Sequence, residues 1–497
     1  MNCEVHLHSN GRSLLVYPRS EDFDPNIMMG WRHQRGRPYY VAENNMVNRI
    51  VLGLPYNPAY KVDEVDDARL HAYQKLDVQK MCSLRECLNA NPMGLGKTPE
   101  TVVALRRKNA KNILVVCPKI VRDQWVAQLK NWGDYDAKVY TSQKAVPKGV
   151  WVVNYERLRG EKTRMKFKTF QWDAVVLDEA HKIKNRNSTQ TKAMKDLPAK
   201  IRIALTGTPI LRYVDDLWSI LHFLNPYYSG SSYWDFVSYF CNIQKTPWGN
   251  KIIGLTEDKQ RVAVLNTLMD TIAIRNSAVE VAHGRTSERV LLPMSKEQRE
   301  LYRKEKQLLL DELPENLTIA NGAVLTLRLM QATSWPGQFL EKVDGPKFEW
   351  VLETCRNNPE EKLVVFSVFG KTVIALTHYL NNNGIRAVCV HGGMKDTDKE
   401  YSATEFKSGL AQVIIGTIGA MGTGYDGLQK VSRLMVFLDR DWSPEIMAQA
   451  EARLDRMGQE SPVHVCYLEC QGSFDQYVGK INQTKAKDIR EALNDGV

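Results

Sequence analysis

A Gly-Lys-Thr loop is the first stretch suited to phosphate chemistry. It closes the segment "NPMGLGKT" within "NPMGLGKTPETVVAL" (91–105), and a helical pattern follows it. Gly94 and Gly96 let the backbone curl so that its N–H groups face phosphate oxygens, and the following helix adds the positive end of its dipole. Lys97 would then reach the β and γ phosphates, and Thr98 would ligate Mg²⁺. Taken alone, the stretch could still be an ordinary turn between a loop and a helix.

A pair of adjacent acids is the second stretch. In "AVVLDEAHKIKN" (174–185), four apolar residues run straight into Asp178 and Glu179. Two carboxylates at the carboxyl end of a strand cost free energy unless a cation or a reaction uses them. Asp178 fits a partner of Mg²⁺ through water, and Glu179 fits the carboxylate that polarises the attacking water. The alternative is that the pair lies in an exposed acidic turn. A Gly-Lys-Thr loop about eighty residues upstream makes this alternative improbable.

Met93 and Leu95 complete the loop that would bind the phosphates, together with its glycines, Lys97 and Thr98. Two further stretches extend this predicted site for ATP. Upstream, the amide of Gln74 carries both a donor and an acceptor, which can read the hydrogen-bonding edge of adenine. "ALTGTPI" (204–210) ends another strand pattern, and its two threonines could bridge to the acidic pair; the alternative is an ordinary turn from strand to loop.

The elements that must position these residues form two similar series. Between about 70 and 225, uniformly apolar runs such as "NILVVCP", "VWVVNY", "AVVLDEA" and "RIALTGTP" alternate with helical stretches. Such runs are typical of strands buried on both faces of a parallel sheet. The alternation returns from about 346 with "KLVVFS", "RAVCVHG", "AQVIIGT", "RLMVFLD" and "VHVCYLE". We therefore predict an α/β fold with two α/β units in tandem.

Domain boundaries follow from changes in this pattern. Short β-like runs, among them "CEVHLHS", "SLLVYPR", "PYYVAEN" and "RIVLGLP", predict a small β-rich domain at the N-terminus. Residues between the two units are expected to be a mostly helical insertion and linker. The predicted segments are a β-rich domain (1–66), a first α/β unit (67–280), a helical linker (281–345), a second α/β unit (346–480) and a C-terminal tail (481–497).

Composition narrows the class of protein and its location. The chain has 497 residues, a formal net charge of +10 and a sequence pI of about 9.0, which suits a polyanionic partner but does not require one. No apolar run approaches the ~20 residues of a membrane span, and "MNCEVHLHSNGR" lacks the apolar core of a signal peptide. We expect a cytoplasmic protein without a membrane partner. Nine scattered cysteines, including Cys466 and Cys470 in a predicted strand, are expected to be free thiols.

The motifs, in this order, resemble the Swi/Snf-type branch of the superfamily-2 helicase-like ATPases. "NPMGLGKT" is similar to the family's "DEMGLGKT", "DEAHKIKN" to "DEAHxxKN", and "LTGTPILR" to "LTGTPxxN". "DDLWSILHFLNP" (215–226) resembles "DLWSLLxFLxP", "VFSVF" (365–369) resembles "VFSQF", and "QAEARLDRMGQ" (449–459) resembles "QAxDRxHRIGQ". The similarity extends over roughly residues 70 to 470.

This resemblance implies two RecA-like lobes with ATP at their interface and DNA crossing both lobes. Gln449, Arg453 and Arg456 match the family's trans-acting motif, in which the arginines act on the γ phosphate. A planar guanidinium can bind two oxygens of the transferring phosphoryl group, and an arginine finger can be worth ~10³–10⁵ in rate. The segment 449–459 itself has the composition of a helix.

DNA contacts are also implied by the resemblance, through loops that follow buried strands. Such contacts meet phosphates and position the duplex without reading its sequence. The candidates are Lys119, Arg122, Tyr155, Thr417 and backbone amides near Gly422 and Gly424. Trp125, in the same region, is expected to be a packing residue.

Some positions depart from the family pattern. Asn91 and Pro92 replace an Asp-Glu pair, which we expect to alter how the loop is anchored rather than how it binds phosphate. Arg212 and Asp426 each replace an Asn, so the family's role is not assigned to either.

A basic and aromatic segment marks the predicted N-terminal domain. In "GWRHQRGRPYY" (30–40), Arg32, Arg35 and Arg37 alternate with aromatic residues. This mixture suits single-stranded DNA or junctions, and equally an arginine-lined hairpin whose aromatic rings belong to the core.

The sequence thus predicts a DNA-dependent ATPase that uses ATP and Mg²⁺ to move along duplex DNA and remodel branched DNA. Its compactness resembles bacterial and bacteriophage members, which places it in a bacterial or host cytoplasm. Alternatives are the motor of a restriction or nucleoprotein-remodelling assembly, an ATP-gated DNA clamp with little turnover, or action on RNA. The sequence identifies no protein partner.

Overall fold

The computed structural model describes residues 3–20, 22–56, 62–142, 146, 148–210, 213–246, 249–276, 285–312, 319–421, 427–455 and 459–492. For Ile120, Glu445 and residues 309–312, 319–325 and 484–492 it describes the backbone alone. The chain divides into two compact units, residues 1–278 with 485–497 and residues 279–484. Five residues singled out from the sequence lie outside the described residues: Arg212, Gly422, Gly424, Asp426 and Arg456.

A small antiparallel sheet begins the first unit. Its strands, in the order β1-β2-β4-β3, are β1 (Cys3–Leu7), β2 (Ser13–Pro18), β3 (Arg32–His33) and β4 (Tyr40–Glu43). Leu14, Val16 and Ala42 point to one face of this sheet, where they are buried. The sequence prediction of a small β-rich region at the N-terminus is therefore confirmed.

"RIVLGLP", however, was predicted as a β-like run, and that prediction is wrong. Its first residues close α1 (Met46–Val51). The side chain of Asn45 accepts a hydrogen bond from the backbone N–H of Asn48 at 2.9 Å and so caps the helix. Asn48 in turn fixes the helix to the sheet, because its amide bonds the backbone of Met29 and Glu43.

A seven-stranded parallel sheet forms the centre of the first unit. Its strands are β5 (Glu86–Asn89), β6 (Ile113–Cys117), β7 (Ala137–Val139), β8 (Val150–Asn154), β9 (Trp172–Asp178), β10 (Ala199–Leu205) and β13 (Ala273–Ile274), in the order β13-β5-β10-β9-β6-β8-β7. Every residue of β6 and β8 is buried, as expected for strands covered by helices on both faces.

The helices around this sheet are α2 (Ala72–Ser83), α3 (Lys97–Arg107), α4 (Arg122–Gly133), α5 (Tyr155–Arg159), α6 (Glu161–Lys168), α7 (Thr189–Lys195), α8 (Asp216–Leu224), α9 (Pro226–Ser229), α10 (Tyr233–Phe240) and α11 (Lys259–Ile272). A hairpin of β11 (Cys241–Thr246) and β12 (Gly249–Leu255) interrupts the helical region that the sequence predicts after 226. The sequence pattern missed this hairpin because its strands are short and mostly polar.

A six-stranded parallel sheet forms the centre of the second unit. Its strands are β14 (Arg285–Leu292), β15 (Leu363–Ser367), β16 (Ala387–Val390), β17 (Val413–Thr417), β18 (Leu434–Phe437) and β19 (Val463–Cys470), in the order β14-β19-β18-β15-β17-β16. The strand β14 thus joins this sheet from within the segment 281–345, which the sequence predicts to be a helical linker.

The helices of the second unit are α12 (Lys296–Glu312), α13 (Ile319–Ser334), α14 (Pro346–Asn357), α15 (Gly370–Asn382), α16 (Asp396–Ser408), α17 (Ile418–Met421), α18 (Pro444–Glu451) and α19 (Phe474–Ala492). The last helix extends through most of the predicted tail. Among the described residues, no helix combines the length and apolar character needed to cross a bilayer.

The fold predicted from the sequence is confirmed by these two sheets. Each is parallel, with strands joined by crossover helices, as in a RecA-like α/β lobe. The order β5-β10-β9 matters most for the site, because carboxyl ends of neighbouring parallel strands meet at one edge. The loops after these three strands carry the Gly-Lys-Thr stretch, the "LTGTP" stretch and the acidic pair.

Candidate active site and nucleic-acid contacts

The Gly-Lys-Thr loop curls tightly before α3. Gly94 and Gly96 have φ angles of 86° and 84°, in the left-handed region that glycine adopts without strain. Gly96 is the N-cap of α3, so the free N–H groups of the first helical turn face the loop. The Nζ of Lys97 donates to the carbonyl oxygens of Asn91 at 2.8 Å and Pro92 at 3.0 Å. Burial lowers the pKa of this ammonium, which lies within the curve of the loop.

Asn91 anchors the base of the loop. It is buried, and its Nδ2 donates to Asp77 Oδ2 of α2 at 2.7 Å. Its Oδ1 accepts from the backbone N–H of Asn276 at 2.9 Å, beyond β13. An aspartate in this place would set a carboxylate against Asp77, whereas an amide can donate to it. Asn91, which stands where the family has an acidic residue, is therefore part of a hydrogen-bond network that holds the loop.

Glu100 lies under the same loop, fully buried in the first turn of α3. Its Oε2 accepts from Asn89 Nδ2 at 2.7 Å. Burial and the neighbouring carboxylate of Asp77 raise the pKa of Glu100 to about 8. The side chain is therefore predominantly protonated at neutral pH.

Gln74 contacts the loop from α2. Its Nε2 donates to the carbonyl oxygen of Leu95 at 3.0 Å, and its Oε1 accepts from the N–H of His71 at 3.0 Å. Tyr73 also donates to the Leu95 carbonyl, at 3.0 Å. Both ends of the Gln74 amide are thus engaged within the protein and tie the loop to the start of α2. Adenine recognition by Gln74 stays a prediction.

Asp178 is the last residue of β9, and two aromatic side chains support it. Trp125 of α4 donates from Nε1 to the carboxylate Oδ2 at 2.8 Å. Tyr155 donates from its hydroxyl to the backbone carbonyl oxygen of Asp178 at 2.8 Å. Burial and the adjacent Glu179 raise the pKa of Asp178 to about 6. Trp125 packs in the core as predicted, and it also holds the acid, which its sequence context did not indicate.

Glu179 has an unusual backbone conformation. Its φ is 54°, a left-handed value that is strained for a residue with a side chain. Its Oε2 lies 3.3 Å from Nδ1 of His181, which is 3.2 Å from Oγ1 of Thr206. A polar chain therefore connects the acidic pair to the "LTGTP" stretch, with His181 as the link that sequence reasoning missed. The "DEAH" motif was the available signal for this histidine.

Gly207 brings the "LTGTP" stretch close to the phosphate loop. A Cβ placed on Gly207 would lie 3.2 Å from Cγ of Met93 and 3.3 Å from its backbone nitrogen. Only a residue without a side chain fits at this distance without displacing the loop. Met93 is thus the part of the loop that packs on the neighbouring strand end.

The predicted DNA contacts of the first unit differ in exposure. Lys119 is exposed in the turn after β6, and Arg122, half-buried, starts α4 and donates from Nε to the Lys119 carbonyl at 3.0 Å. Tyr155 is fully buried, and its hydroxyl donates to the backbone carbonyl of Asp178, so contact of this residue with DNA stays a prediction. The sequence did not reveal this, because the residue sits where a surface loop was expected.

The predicted arginine segment of the second unit is only partly helical. The helix α18 ends at Glu451, and Arg453 follows in a turn, with its N–H donating to the Ala450 carbonyl at 3.1 Å. Glu451 is buried, and its carboxylate binds Arg285 of β14 and the hydroxyl of Tyr467 of β19. Beyond Glu451 the backbone N–H groups of Arg453 and Leu454 each bond the carbonyl three residues back, so the helix tightens into turns before the end of the predicted 449–459. Gln449 is nearly buried on α18.

In the same unit the predicted DNA contact Thr417, half-buried, ends β17.

The three arginines of the N-terminal sheet are all exposed. Arg32 is on β3, and Arg35 and Arg37 are in the turn that leads to β4. Pairing places His6, Leu15, Val41 and Arg32 in one row across the sheet, on the face opposite its core. On that face the rings of Tyr17 and Tyr39 are 5.1 Å apart. Among the described side chains, no acidic group forms an ion pair with any of the three arginines.

The residues of the first unit fit a nucleoside triphosphate with Mg²⁺. The left-handed glycines and the N-terminus of α3 form a cradle for phosphate oxygens, beside Lys97 and Thr98. Asp178 is a half-buried carboxylate whose pKa is raised, which means that its charged form is disfavoured; a bound cation would stabilise that form.

The chain resembles known proteins in both of its units. The family model described as the SNF2-related domain matches residues 28–334, and that of the helicase conserved C-terminal domain matches residues 346–458. The human SWI/SNF-related matrix-associated actin-dependent regulator of chromatin subfamily A member 1 is 25% identical over 481 residues, which cover 88% of this chain and 44% of the human protein. The ATP-dependent DNA helicase DDM1 of Arabidopsis thaliana is 24% identical over 473 residues, which cover 84% of this chain and 61% of that protein.

The chain spans about half the length of the curated relatives it matches. A solved structure, the Sulfolobus solfataricus SWI2/SNF2 ATPase core in complex with dsDNA, aligns with a TM-score of 0.41 at 22% identity, over 89% of this chain and 100% of that chain. The match to the first family model alone extends over more than half of the sequence and includes the phosphate loop, the acidic pair and the "LTGTP" stretch. The chain therefore belongs to the SNF2-related family.

Proposed function

We propose that the chain is an ATP-dependent DNA translocase that remodels branched DNA. The observation that carries this proposal is the convergence of three strand ends in the first unit. The loops after β5, β10 and β9 bring together Lys97, the "LTGTP" threonines and the pair Asp178 and Glu179. This set has a phosphate cradle, a cation partner and a carboxylate base, which phosphoryl transfer to water requires.

Each residue has a distinct part in the proposed hydrolysis. Lys97 neutralises charge on the phosphates, and Glu179 accepts the proton of the attacking water. His181, which contacts Thr206, positions the Glu179 carboxylate. Thr98 and Asp178 would hold Mg²⁺, which supplies Lewis-acid stabilisation of the phosphate charge when bound. Trp125 and Tyr155 keep Asp178 in position through its side chain and its backbone.

Arginines of the second unit complete the proposed reaction. By the match of their motif, Arg453 and Arg456 act as fingers on the γ phosphate, and Gln449 assists them. An arginine finger acts on charge that develops in the transition state, so its loss lowers turnover more than ATP binding. We therefore expect Arg453→Ala to retain ATP affinity and to lose most DNA-stimulated turnover.

DNA is the proposed polymer. Its phosphates are proposed to be contacted by Lys119, Arg122, Thr417 and backbone amides near Gly422 and Gly424. The relative from Arabidopsis thaliana is named a DNA helicase, which supports DNA over RNA. Preference for branched DNA is proposed from the N-terminal sheet. Its outer face combines neighbouring tyrosine rings with Arg32, and the turn beside it adds the exposed Arg35 and Arg37; such a surface suits unstacked bases at a junction.

ATP hydrolysis is tested with variants of Lys97 and Glu179. Lys97→Ala should lose DNA-stimulated hydrolysis, while Glu179→Gln should bind ATP and hydrolyse it slowly. Lys111→Ala, which removes an exposed lysine of the same unit, is the matched control and should behave as the wild type. Normal turnover by Glu179→Gln would show that another group serves as the base.

Branch preference is tested by comparing the stimulation of hydrolysis by a four-way junction, a fork, linear duplex and single-stranded DNA. The wild type should respond most strongly to the branched forms. The triple variant R32E/R35E/R37E should lose that preference and keep stimulation by linear duplex. Equal stimulation of the wild type by linear duplex and junction would refute the proposed preference.

A further inference from the structure

One edge of the second sheet carries a glutamate, a histidine and a cysteine on the same face. The edge strand β14 pairs in parallel with β19, so that Glu288 is opposite Cys466 and Thr286 is opposite His464. Alternate residues of a strand point to the same side of a sheet. Register therefore gathers side chains that are about 176 residues apart in the sequence. This group was not recognised from the sequence, where Cys466 was expected to be a free thiol.

The potential ligand atoms of these three residues already converge. Nε2 of His464 lies 3.1 Å from Oε1 of Glu288, and Sγ of Cys466 donates to the same oxygen at 3.2 Å. All three ligand atoms lie within 4.8 Å of one another. In a tetrahedral zinc site the bond lengths of about 2.0–2.3 Å separate neighbouring ligand atoms by roughly 3.4–3.6 Å. The two contacts to Oε1 of Glu288, at 3.1 and 3.2 Å, are within a few tenths of an ångström of this spacing.

A fourth residue fixes the orientation of the histidine. Oγ1 of Thr286 lies 2.8 Å from Nδ1 of His464, which leaves Nε2 directed at the glutamate. Histidines that bind metals usually have their other ring nitrogen held in this way, since the contact fixes both tautomer and ring plane. The contact of Thr286 with His464 is thus a second feature typical of a metal site, in addition to the converging ligand atoms.

We propose that Glu288, His464 and Cys466 bind Zn²⁺. A thiolate, an imidazole and a carboxylate together favour zinc, whereas Mg²⁺ and Ca²⁺ prefer oxygen ligands alone. Cys466 is almost fully buried, while Glu288 is exposed and His464 is half-exposed, so an ion can enter from solvent. Binding releases the thiol proton to solvent, and water occupies the fourth position.

The bound ion would cross-link the edge strand to the sheet. On the opposite face of β14, Arg285 and Arg289 already form ion pairs with Glu451 and Glu469. Zinc would add a metal-mediated cross-link on the other face, between Glu288 of β14 and His464 and Cys466 of β19. This cross-link would stabilise the pairing of the two strands. These residues are separate from those proposed for ATP, so this inference does not depend on the proposed function. Without zinc, the same three side chains form only a hydrogen-bonded cluster, and the two cases differ in measurable ways.

The test uses the full-length, untagged protein and Co²⁺ as a spectroscopic probe for zinc. Titration of the wild type should give a saturable thiolate-to-cobalt charge-transfer absorption at one equivalent, which Zn²⁺ then displaces. Both Cys466→Ser and His464→Gln should abolish this absorption. Cys389→Ser is the matched control, because Cys389 is a half-buried thiol on β16, the opposite edge strand of the same sheet. It should bind cobalt as the wild type does.

Thr286→Val gives a graded readout, because it keeps all three ligands and removes only the contact to Nδ1. We expect it to weaken zinc affinity by about 10–100-fold. Absence of a saturable absorption in the wild type would overturn the proposal, as would its persistence in Cys466→Ser or its loss in Cys389→Ser. If Cys466→Ser does not fold, His464→Gln decides alone, since His464 is half-exposed and outside the core clusters. Thr286→Val binding with unchanged affinity would count against the site as well.

Discussion

At the scale of single residues, Trp125 and Tyr155 both support Asp178 but reach different atoms. The indole N–H donates to the carboxylate and favours its charged form, whereas the phenol reaches the backbone carbonyl. Trp125→Phe keeps the ring and removes the donor, so the pKa of Asp178 should rise above its value of about 6. A hydrogen bond to a charged group is worth about 1.5–3 kcal/mol, which corresponds to roughly one to two pH units. The acidic limb of the profile of kcat/KM against pH, which reports the groups of the free enzyme, should move to higher pH by about that amount.

Tyr155→Phe is the control for this prediction, because it removes a hydroxyl equally close to Asp178 without touching the carboxylate. Its acidic limb should coincide with that of the wild type. A Trp125→Phe enzyme whose limb does not move would show that Asp178 does not control the profile.

Glu100 gives a second prediction at this scale, on stability. Its pKa is about 8 in the folded chain and near 4.5 when the carboxyl is free in water. Between these values the folded state holds a proton that the unfolded state has released, so stability falls as pH rises from about 5 to 8. The slope reaches at most about 1.4 kcal/mol per pH unit. Glu100→Gln cannot ionise, so its thermal midpoint should fall less over this interval and exceed that of the wild type at pH 8.

The exposed carboxylate of Glu161, in the same unit, supplies the comparison. Glu161→Gln should retain the pH dependence of the wild type. Equal slopes for Glu100→Gln and the wild type would mean that Glu100 is ionised in the folded chain.

At the scale of elements, the approach of the "LTGTP" stretch to the phosphate loop is set by Gly207. A methyl group there would lie 3.2–3.3 Å from Met93, including its backbone nitrogen, so the loop must shift by a few tenths of an ångström. Gly207→Ala should therefore raise the KM for ATP severalfold while the fold is retained. Gly160→Ala is the matched control, since its nearest neighbour is a backbone oxygen at 3.7 Å. An unchanged KM in Gly207→Ala would show that the loop adapts freely.

The elements also indicate what a sequence can predict. Strands buried on both faces, such as β6 and β8, were predicted correctly because their apolar runs depend on local composition alone. Errors arose where a distant partner decides the structure. The strand β14 joins its sheet by pairing with β19, and the hydroxyl of Tyr155 donates to the backbone carbonyl of Asp178 inside the first unit. The apolar run that leads into Asp178 and Glu179 revealed the acidic pair, but the contact of Trp125 with Asp178 joins residues 53 positions apart and leaves no pattern in the sequence.

At the scale of the whole molecule, each buried apolar cluster of the described residues lies within one unit. The clusters around β5–β10 contain residues of the first unit, and those around β15–β19 contain residues of the second. Each unit thus has its own hydrophobic core, and this favours separate cooperative unfolding transitions.

A buried ion pair of the second unit allows this to be tested. Nζ of Lys347 lies 2.8 Å from Oδ2 of Asp475, and both side chains are almost fully buried. Asp475 also accepts from Thr333 and from the N–H of Cys470, so Asp475→Ala removes the counter-charge of a buried ammonium, which keeps only the Leu438 carbonyl, and the acceptor of two further donors. Breaking such a pair costs about 3–5 kcal/mol. In urea unfolding followed by tryptophan fluorescence, Asp475→Ala should shift one transition by this amount and leave the other unchanged. Glu361→Ala, which removes a partly exposed pair with Arg433, should cost less than about 1 kcal/mol. A single transition that moves as a whole in Asp475→Ala would mean instead that the two units unfold together.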